Sequence, residues 1–511
     1  MNGRNSLYND IDRYLGKNLY PLHMPGHKRR GEELLQIVRR YDLTEIPGTD
    51  DLHRAEGMLL SAMQRTADLY GACRTFYLVN GSTVGMLSAL TALGKRGETV
   101  IAARNCHICV AHAVETGALK VKWVLPCYDE AFGICTKIPP ESIQKAIDET
   151  VTETGIKPAC VVITSPTYEG VLSDIKTISA ICHEAGIPLI VDEAHGAHLR
   201  FAEGQKDAIA LGADVVIQSP HKTLCSLTQT AWMHISSYAV DTFPDICERI
   251  GEKLSVFETS SPSYPLMMSL DECTGILAEK GAELSSHYCA MLDELYGKLA
   301  SLKNLKVYGI YGRYSSPAGK TEEDPERGTY KDNKVLKGNF GHDRGKLLIN
   351  CEGTSFDAEE FARCLRDEYG FEAEYAKGRN VLLMLTMWDD EDKIRELSQA
   401  LVSLDGVSEE DTAHDEGTPK MNIFPRIPQS VMTISEALES EGEPVPYDEL
   451  VSGDRICREY VYNYPPGIPI LVPGEIIDKE MCDHLMMLGK TGCSPYGSRS
   501  KTDDRIFCVK R

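Results

Sequence analysis

ACVVIT at 159–164, SDIKTISAICHEAG at 173–186 and PLIVD at 188–192 spell a strand, a helix and a second strand. The two outer runs are short, apolar and β-branched, the composition of strands buried on both faces. Between them Ile175, Ile178, Ile181, Cys182 and Ala185 fall on one face at helical spacing, and the helix stops at Gly186 ahead of Pro188. Such a succession builds a parallel strand pair joined by a crossover. The same rhythm continues outward through TFYLV (75–79), TVIAA (99–103), KVKWVL (120–125), DVVIQS (214–219) and AWMHI (231–235). Together they predict an α/β fold: a mostly parallel seven-stranded sheet, covered by helices on both faces, with ligands at the carboxyl ends of its strands.

A chain of 511 residues exceeds one ordinary core. After about residue 270 the pattern changes to a long helical stretch reaching about 302, and then to a Gly/Lys/Glu/Asp-rich segment with few apolar anchors. KLLINC (346–351), a helix around 357–369, VLLMLTM (381–387) and a helix to about 404 follow, then a cluster of acids. The expected organisation is an N-terminal arm over 1–20, a large ligand-binding domain over 21–300 and a smaller α/β domain over 301–405 with a mobile insertion near 313–345. An acidic linker over 406–422 and a C-terminal domain over 423–511 complete it.

Fifty-four basic against seventy-six acidic side chains give a net charge of −22, which repels phosphate backbones and argues against a nucleic-acid partner. No run of eighteen apolar residues occurs and the start lacks the apolar core of a signal peptide, so neither membrane insertion nor export is expected and the cytoplasm is the predicted compartment. Seventeen cysteines scattered through apolar segments behave as small reduced hydrophobes. CHIC (106–109) has no second pair at finger-like spacing, and no metal is expected.

Four segments at successive strand ends carry chemistry. In QSPHKTL (218–224), Lys222 leaves a strand among small hydroxyls and a histidine, where desolvation lowers its pKa and frees the amine to attack a carbonyl; an ordinary loop lysine is the alternative. Asp192 closes the apolar strand PLIVD, so its carboxylate either meets a cation or caps a turn. Gly81, Ser82 and Thr83 open an apolar helix, offering free amides and hydroxyls to a phosphate or forming a plain cap. His107, just after TVIAA, either stacks on a flat ring or is a structural histidine. A phosphate cradle, a stacking ring, a buried acid and a Schiff-base lysine are together what pyridoxal 5'-phosphate requires.

LHMPGHK (22–28), TDDLHRAEG (49–57), VNGSTVG (79–85), RNCH (104–107), SPTYEG (165–170), VDEAHGAH (191–198), QSPHKTL (218–224) and YPPGIPILVPGE (464–475) make most of the chain resemble the Orn/Lys/Arg decarboxylases, the fold-type I, PLP-dependent bacterial decarboxylases of basic amino acids. The resemblance implies Lys222 as the Schiff-base lysine, Ser219 and His221 near the phosphate, Asp192 on the pyridine nitrogen, His107 on the ring face, and Gly81, Ser82 and Thr83 around the phosphate. His195 stands where larger members carry tryptophan; it contacts the cofactor or packs beneath it, with packing preferred. Glu475 is the candidate for the distal cation of the substrate. The motif LHMPGHK begins close to the N-terminus, resembling the short form without a receiver-like domain, so a homodimer or higher even oligomer is expected. Its active sites would be shared, with TDDLHRAEG or Thr230 contributed by the neighbour. The implied reaction releases carbon dioxide and a polyamine-pathway amine from arginine, lysine or ornithine, in that order of preference. An aminotransferase, with Arg379 as its carboxylate-binding arginine, and a non-catalytic polyamine-pathway regulator are the rival readings.

Overall fold

The computed structural model describes residues 20–22, 43–45, 49–202, 204–310, 341–406, 422–450, 455–464, 467–490, 496–497 and 505–510. The expected N-terminal arm, most of LHMPGHK, the insertion near 313–345 and the acidic linker lie wholly or largely outside the described residues.

Seven strands form the central sheet: β1 (Arg74–Leu78), β2 (Thr99–Ala103), β3 (Lys120–Val124), β4 (Val161–Thr164), β5 (Leu189–Asp192), β6 (Val215–Gln218) and β7 (Ala231–Ile235). They lie in the order β1-β7-β6-β5-β4-β2-β3. Strands β2 to β6 run parallel, whereas β7 is antiparallel to both β6 and β1. The reversal follows from the short link at 219–230, whose single helical turn cannot carry the chain back for a parallel return.

Side chains alternate across this sheet with period two. Val100, Ala102, Val162, Ile190, Val215 and Ile217 enter one core with helices α2 (Gly81–Leu93), α3 (Ile108–Thr116) and α7 (Ile246–Phe257). Ile101, Ala103, Val161, Ile163, Leu189, Val191 and Val216 enter the other with α4 (Pro140–Thr154) and α5 (Ile175–Ala185). Covering both faces is what makes near-continuous apolar strands stable. Helix α5 behaves as its sequence predicts: the Asp174 side chain accepts from the Thr177 amide, and Gly186 closes the helix at φ +66°.

Helix α1 (Met58–Tyr70) and the 36-residue α8 (Tyr264–Leu299) share a third core with a four-stranded antiparallel sheet. That sheet comprises β8 (Lys306–Val307), β9 (Lys346–Asn350), β10 (Tyr375–Lys377) and β11 (Asn380–Met384) in the order β8-β9-β11-β10. Helices α9 (Ala358–Tyr369) and α10 (Glu391–Leu404) complete this unit, and strand Tyr20–Leu22 pairs in parallel with Phe371–Ala373 beside it. C-terminal segments build a separate core around Val461, Ile470, Leu471, Met481 and Leu485.

Candidate active site

Strands β1 and β6 flank antiparallel β7, so they share a direction with β2 to β5 and all their carboxyl ends open at one edge. There β5 and β6 are in register with Asp192 opposite Ile217, which sets Asp192 beside the exit of β6. Pro220 occupies the first position of the one-turn helix α6 (Pro220–Thr223), and the Lys222 amide bonds to the Ser219 carbonyl at 3.0 Å. This turn swings half-buried Lys222 back over the sheet edge. Asp192 is buried and accepts from the Ala194 amide at 3.1 Å. Burial raises its pKa while the charge of Lys222 opposes the rise; for Lys222, burial lowers the pKa while Asp192 opposes. The pair is an acid and an amine at neighbouring strand exits whose charges act on one another, each out of full solvent.

His195 lies between two amines. Its Nε2 is 3.1 Å from Lys222 Nζ and its Nδ1 is 2.7 Å from Lys346 Nζ. Burial, then the charges of Lys222 and Lys346, push the imidazole well below its ordinary pKa. Tyr168 meets the ring edge-on at 4.8 Å and donates a hydroxyl hydrogen bond to Glu374. His195 therefore touches Lys222 directly.

Lys346 opens β9 in the small sheet and reaches this edge because the loop before it is sewn to the loop after β4. The Asp343 amide bonds to the Gly170 carbonyl at 2.8 Å, and the Leu172 amide to the Gly341 carbonyl at 2.7 Å. Gly170, at φ +94°, is required: a Cβ there would sit 2.7 Å from Lys346 Cβ and Cγ. Burial pushes the Lys346 pKa down to about 8 against the pull of Asp343 and Glu374. Asp343 is itself buried beside His198 at 3.1 Å; burial raises its pKa, but His198 and Lys346 outweigh that and hold it at about 2.

At the exit of β1, Asn80 turns its side chain away to accept from the Thr259 amide, so the first amides of α2 have no side-chain cap. Gly81 makes the turn at φ +80°, with Ser82 half-buried and Thr83 exposed beside it. Two strands across, the buried Ser219 hydroxyl has no partner among the described residues. His221 Nδ1 lies 2.7 Å from the Thr230 carbonyl. Uncapped amides and an unpartnered hydroxyl on one edge suit a phosphate-sized anion.

His107 caps α3, its Nδ1 accepting from the Cys109 amide at 3.2 Å, which leaves the ring proton on Nε2. Burial, then the charge of Lys222, pushes its pKa down to about 4, so the ring is neutral at ordinary pH.

One expectation requires correction. Glu475 is wholly buried rather than open to a substrate: its Oε2 receives Arg104 Nη2 at 2.8 Å and the Val472 amide at 2.9 Å. Arg104 also donates to the Ile470 carbonyl and stacks on Trp123, so Glu475 anchors the C-terminal segment. Arg379 donates to the Phe356 carbonyl in the small unit. Thr230 is buried in its own chain, bonded to Ser226 and Leu227. TDDLHRAEG is tied in the same chain, through His53, to the Thr259 carbonyl. Sequence reasoning missed Lys346, Tyr168 and Asp343; the available signal was a lysine at the head of the otherwise apolar run KLLINC.

The pattern described as Orn/Lys/Arg decarboxylase, major domain, matches residues 6–393, and that of the family's C-terminal domain matches 419–494. An arginine decarboxylase of Bacillus subtilis (strain 168) is 29% identical over 99% of this chain and 97% of its own. The constitutive lysine decarboxylase of Escherichia coli (strain K12) is 24% identical over 85% of this chain and 69% of its own. The solved lysine decarboxylase of Francisella novicida superposes with a TM-score of 0.75 at 18% identity, over 99% of this chain and 84% of that one. With the fold, the strand-edge cluster and these matches in agreement, the chain belongs to the Orn/Lys/Arg decarboxylase family, a family of amino-acid decarboxylases.

Proposed function

We propose that this protein is a pyridoxal-phosphate-dependent decarboxylase of a basic amino acid, with arginine the favoured substrate, then lysine, then ornithine. One observation carries the reading: Lys222 and Asp192 at the exits of adjacent parallel strands, each affecting the other's protonation. An amine of lowered basicity beside a buried acid is what an aldehyde on a basic heterocycle needs. The residues fit the cofactor: Lys222 would hold its aldehyde carbon, Asp192 its ring nitrogen and neutral His107 one ring face. Gly81, Ser82, Thr83, Ser219 and His221 would hold its phosphate, which gives the buried Ser219 hydroxyl the partner it lacks.

When bound, the cofactor supplies an electron-withdrawing ring that accepts the electron pair of the breaking bond. The chain's residues do the rest. Asp192 would hold negative charge opposite the ring nitrogen, and neutral His107 would cover the ring without adding a charge. Burial around His195 and Lys346 excludes water. Lys222, with His195 against its amine, is placed to return a proton. In balance, the Cα–carboxylate bond breaks, carbon dioxide leaves, and one proton is taken up at Cα.

Arginine is favoured because relatives matched over 97% of their own length are arginine decarboxylases. The same reading makes the protein a cytoplasmic homodimer or higher even oligomer with shared active sites, feeding the polyamine pathway. Purified protein with added cofactor, incubated separately with arginine, lysine and ornithine, should release carbon dioxide and agmatine, cadaverine or putrescine in equal amounts, fastest from arginine. A keto acid with the aminated cofactor would overturn decarboxylation, and a faster reaction with lysine would overturn the substrate order.

A further inference from the structure

A neutral imidazole has one N–H and one lone pair. His195 nonetheless meets an amine nitrogen at each ring nitrogen, Lys346 at 2.7 Å and Lys222 at 3.1 Å. Two ammonium groups would need a lone pair from both ring nitrogens, which only an imidazolate provides. An imidazolium would add a third buried cation unless both amines were neutral. A neutral ring satisfies both contacts only when the lysine facing its N–H is a free amine; the lysine facing its lone pair donates, and does so most strongly as an ammonium.

The surroundings choose which. The Lys346 contact is the shorter, as suits a charge-assisted bond. Lys346 faces the acids Asp343, Glu374 and Glu169, with Lys222 as the opposing charge; His342 beside Asp343 is pushed down to about 4 by burial and is neutral. Of these acids Asp343 is held firmly ionised. Around Lys222 the facing groups are Asp192, Cys109, Glu374 and His107; the Cys109 thiol is kept protonated by burial and His107 is neutral. Asp192 favours a proton on Lys222, but burial pushes its own carboxyl toward the neutral form, unlike that of Asp343. The ammonium therefore belongs on Lys346.

We propose that Lys346 is a positioning residue for Lys222: its ammonium donates to His195 Nδ1, leaving the ring proton on Nε2, where it is donated to Lys222 and keeps that amine unprotonated and aimed. This rests on the reading of Lys222 as the cofactor lysine. It also makes the reactivity of Lys222 depend on the docking of the small sheet, since Lys346 arrives on β9 through the Gly170–Asp343 contact.

The full chain, freed of cofactor with hydroxylamine, is mixed with pyridoxal phosphate between about pH 6 and pH 10. Attachment to Lys222 is followed by visible absorbance and by the borohydride-trapped peptide. Lys346→Met should move the midpoint of the attachment-rate profile up by about one pH unit and slow attachment near neutral pH about tenfold, because Lys222 then keeps its proton to donate to His195. A lower rate with an unmoved midpoint would mark Lys346 as structural and overturn the proposal. Should Lys346→Met not fold, ¹⁵N-histidine labelling of the wild-type chain, with His195 assigned by loss of its signal in His195→Gln, decides the matter: a proton on Nε2 is expected, and one on Nδ1 overturns the proposal. Failure of wild-type Lys222 to attach the cofactor sinks the functional reading; attachment with an unmoved midpoint sinks only this inference.

Discussion

At the junction with the C-terminal segment, Arg104 and Glu475 meet at 2.8 Å with neither side chain exposed. At the junction with the small sheet, Lys222 and Lys346 press on opposite edges of one imidazole. Both join parts of the chain distant in sequence, and both take charge out of water. The first cancels its charges pairwise and closes a docking surface. The second crowds two lysine amines together, and burial lowers the basicity of each. The contrast separates holding from reacting: matched buried charge fixes a contact, while mismatched buried charge leaves a group ready to give up or take a proton.

Removing either side tests the contrast, and the largest effect is expected at Lys222. Lys222→Ala should reduce carbon dioxide release to background and abolish the borohydride-trapped label, while the thermal midpoint barely changes. Next, Arg104→Met leaves Glu475 buried without its cation, and the cost should be about 3–5 kcal/mol in denaturant unfolding. The double change Arg104→Met with Glu475→Leu should recover most of that loss. Equal instability of the single and double variants would show that packing, not charge matching, holds this junction. Glu475→Gln should in turn leave KM for arginine unchanged if the residue is an anchor; a raised KM would return it to the substrate.

A smaller effect is expected from Asp192→Asn, which keeps the shape but removes the charge proposed to face the ring nitrogen. The fall in kcat should be about a hundredfold, equivalent to about 3 kcal/mol of lost stabilisation, with KM little altered. The smallest is a slope. His107 lies between the junctions, with Gly467 against its Nε2 and the charge of Lys222 acting on it. Its folded pKa of about 4 lies below its ordinary value of 6.5, so between these the unfolded chain holds a proton that the folded chain lacks. That contribution to stability is present above pH 6.5 and is lost as pH falls toward 4. His107→Gln should flatten the fall of stability over this window by up to one proton, about 1.4 kcal/mol per pH unit. An unchanged slope in stepwise-pH denaturation would show that His107 carries no buried penalty.

The order of strand and helix, the burial of both sheet faces and the placing of Gly81, His107, Asp192 and Lys222 at strand ends were all legible in the chain by itself. Periodicity of two and of 3.6 is written locally, and a strand's last residue marks the sheet edge. The sealing of Glu475 by Arg104 and the arrival of Lys346 at His195 were decided by tertiary structure alone. Each depends on which distant segment docks where, and the tautomer and charge of a buried group depend on the neighbours that docking brings. No local pattern shows that a lysine beginning a strand in one sheet will meet a histidine after a strand in another.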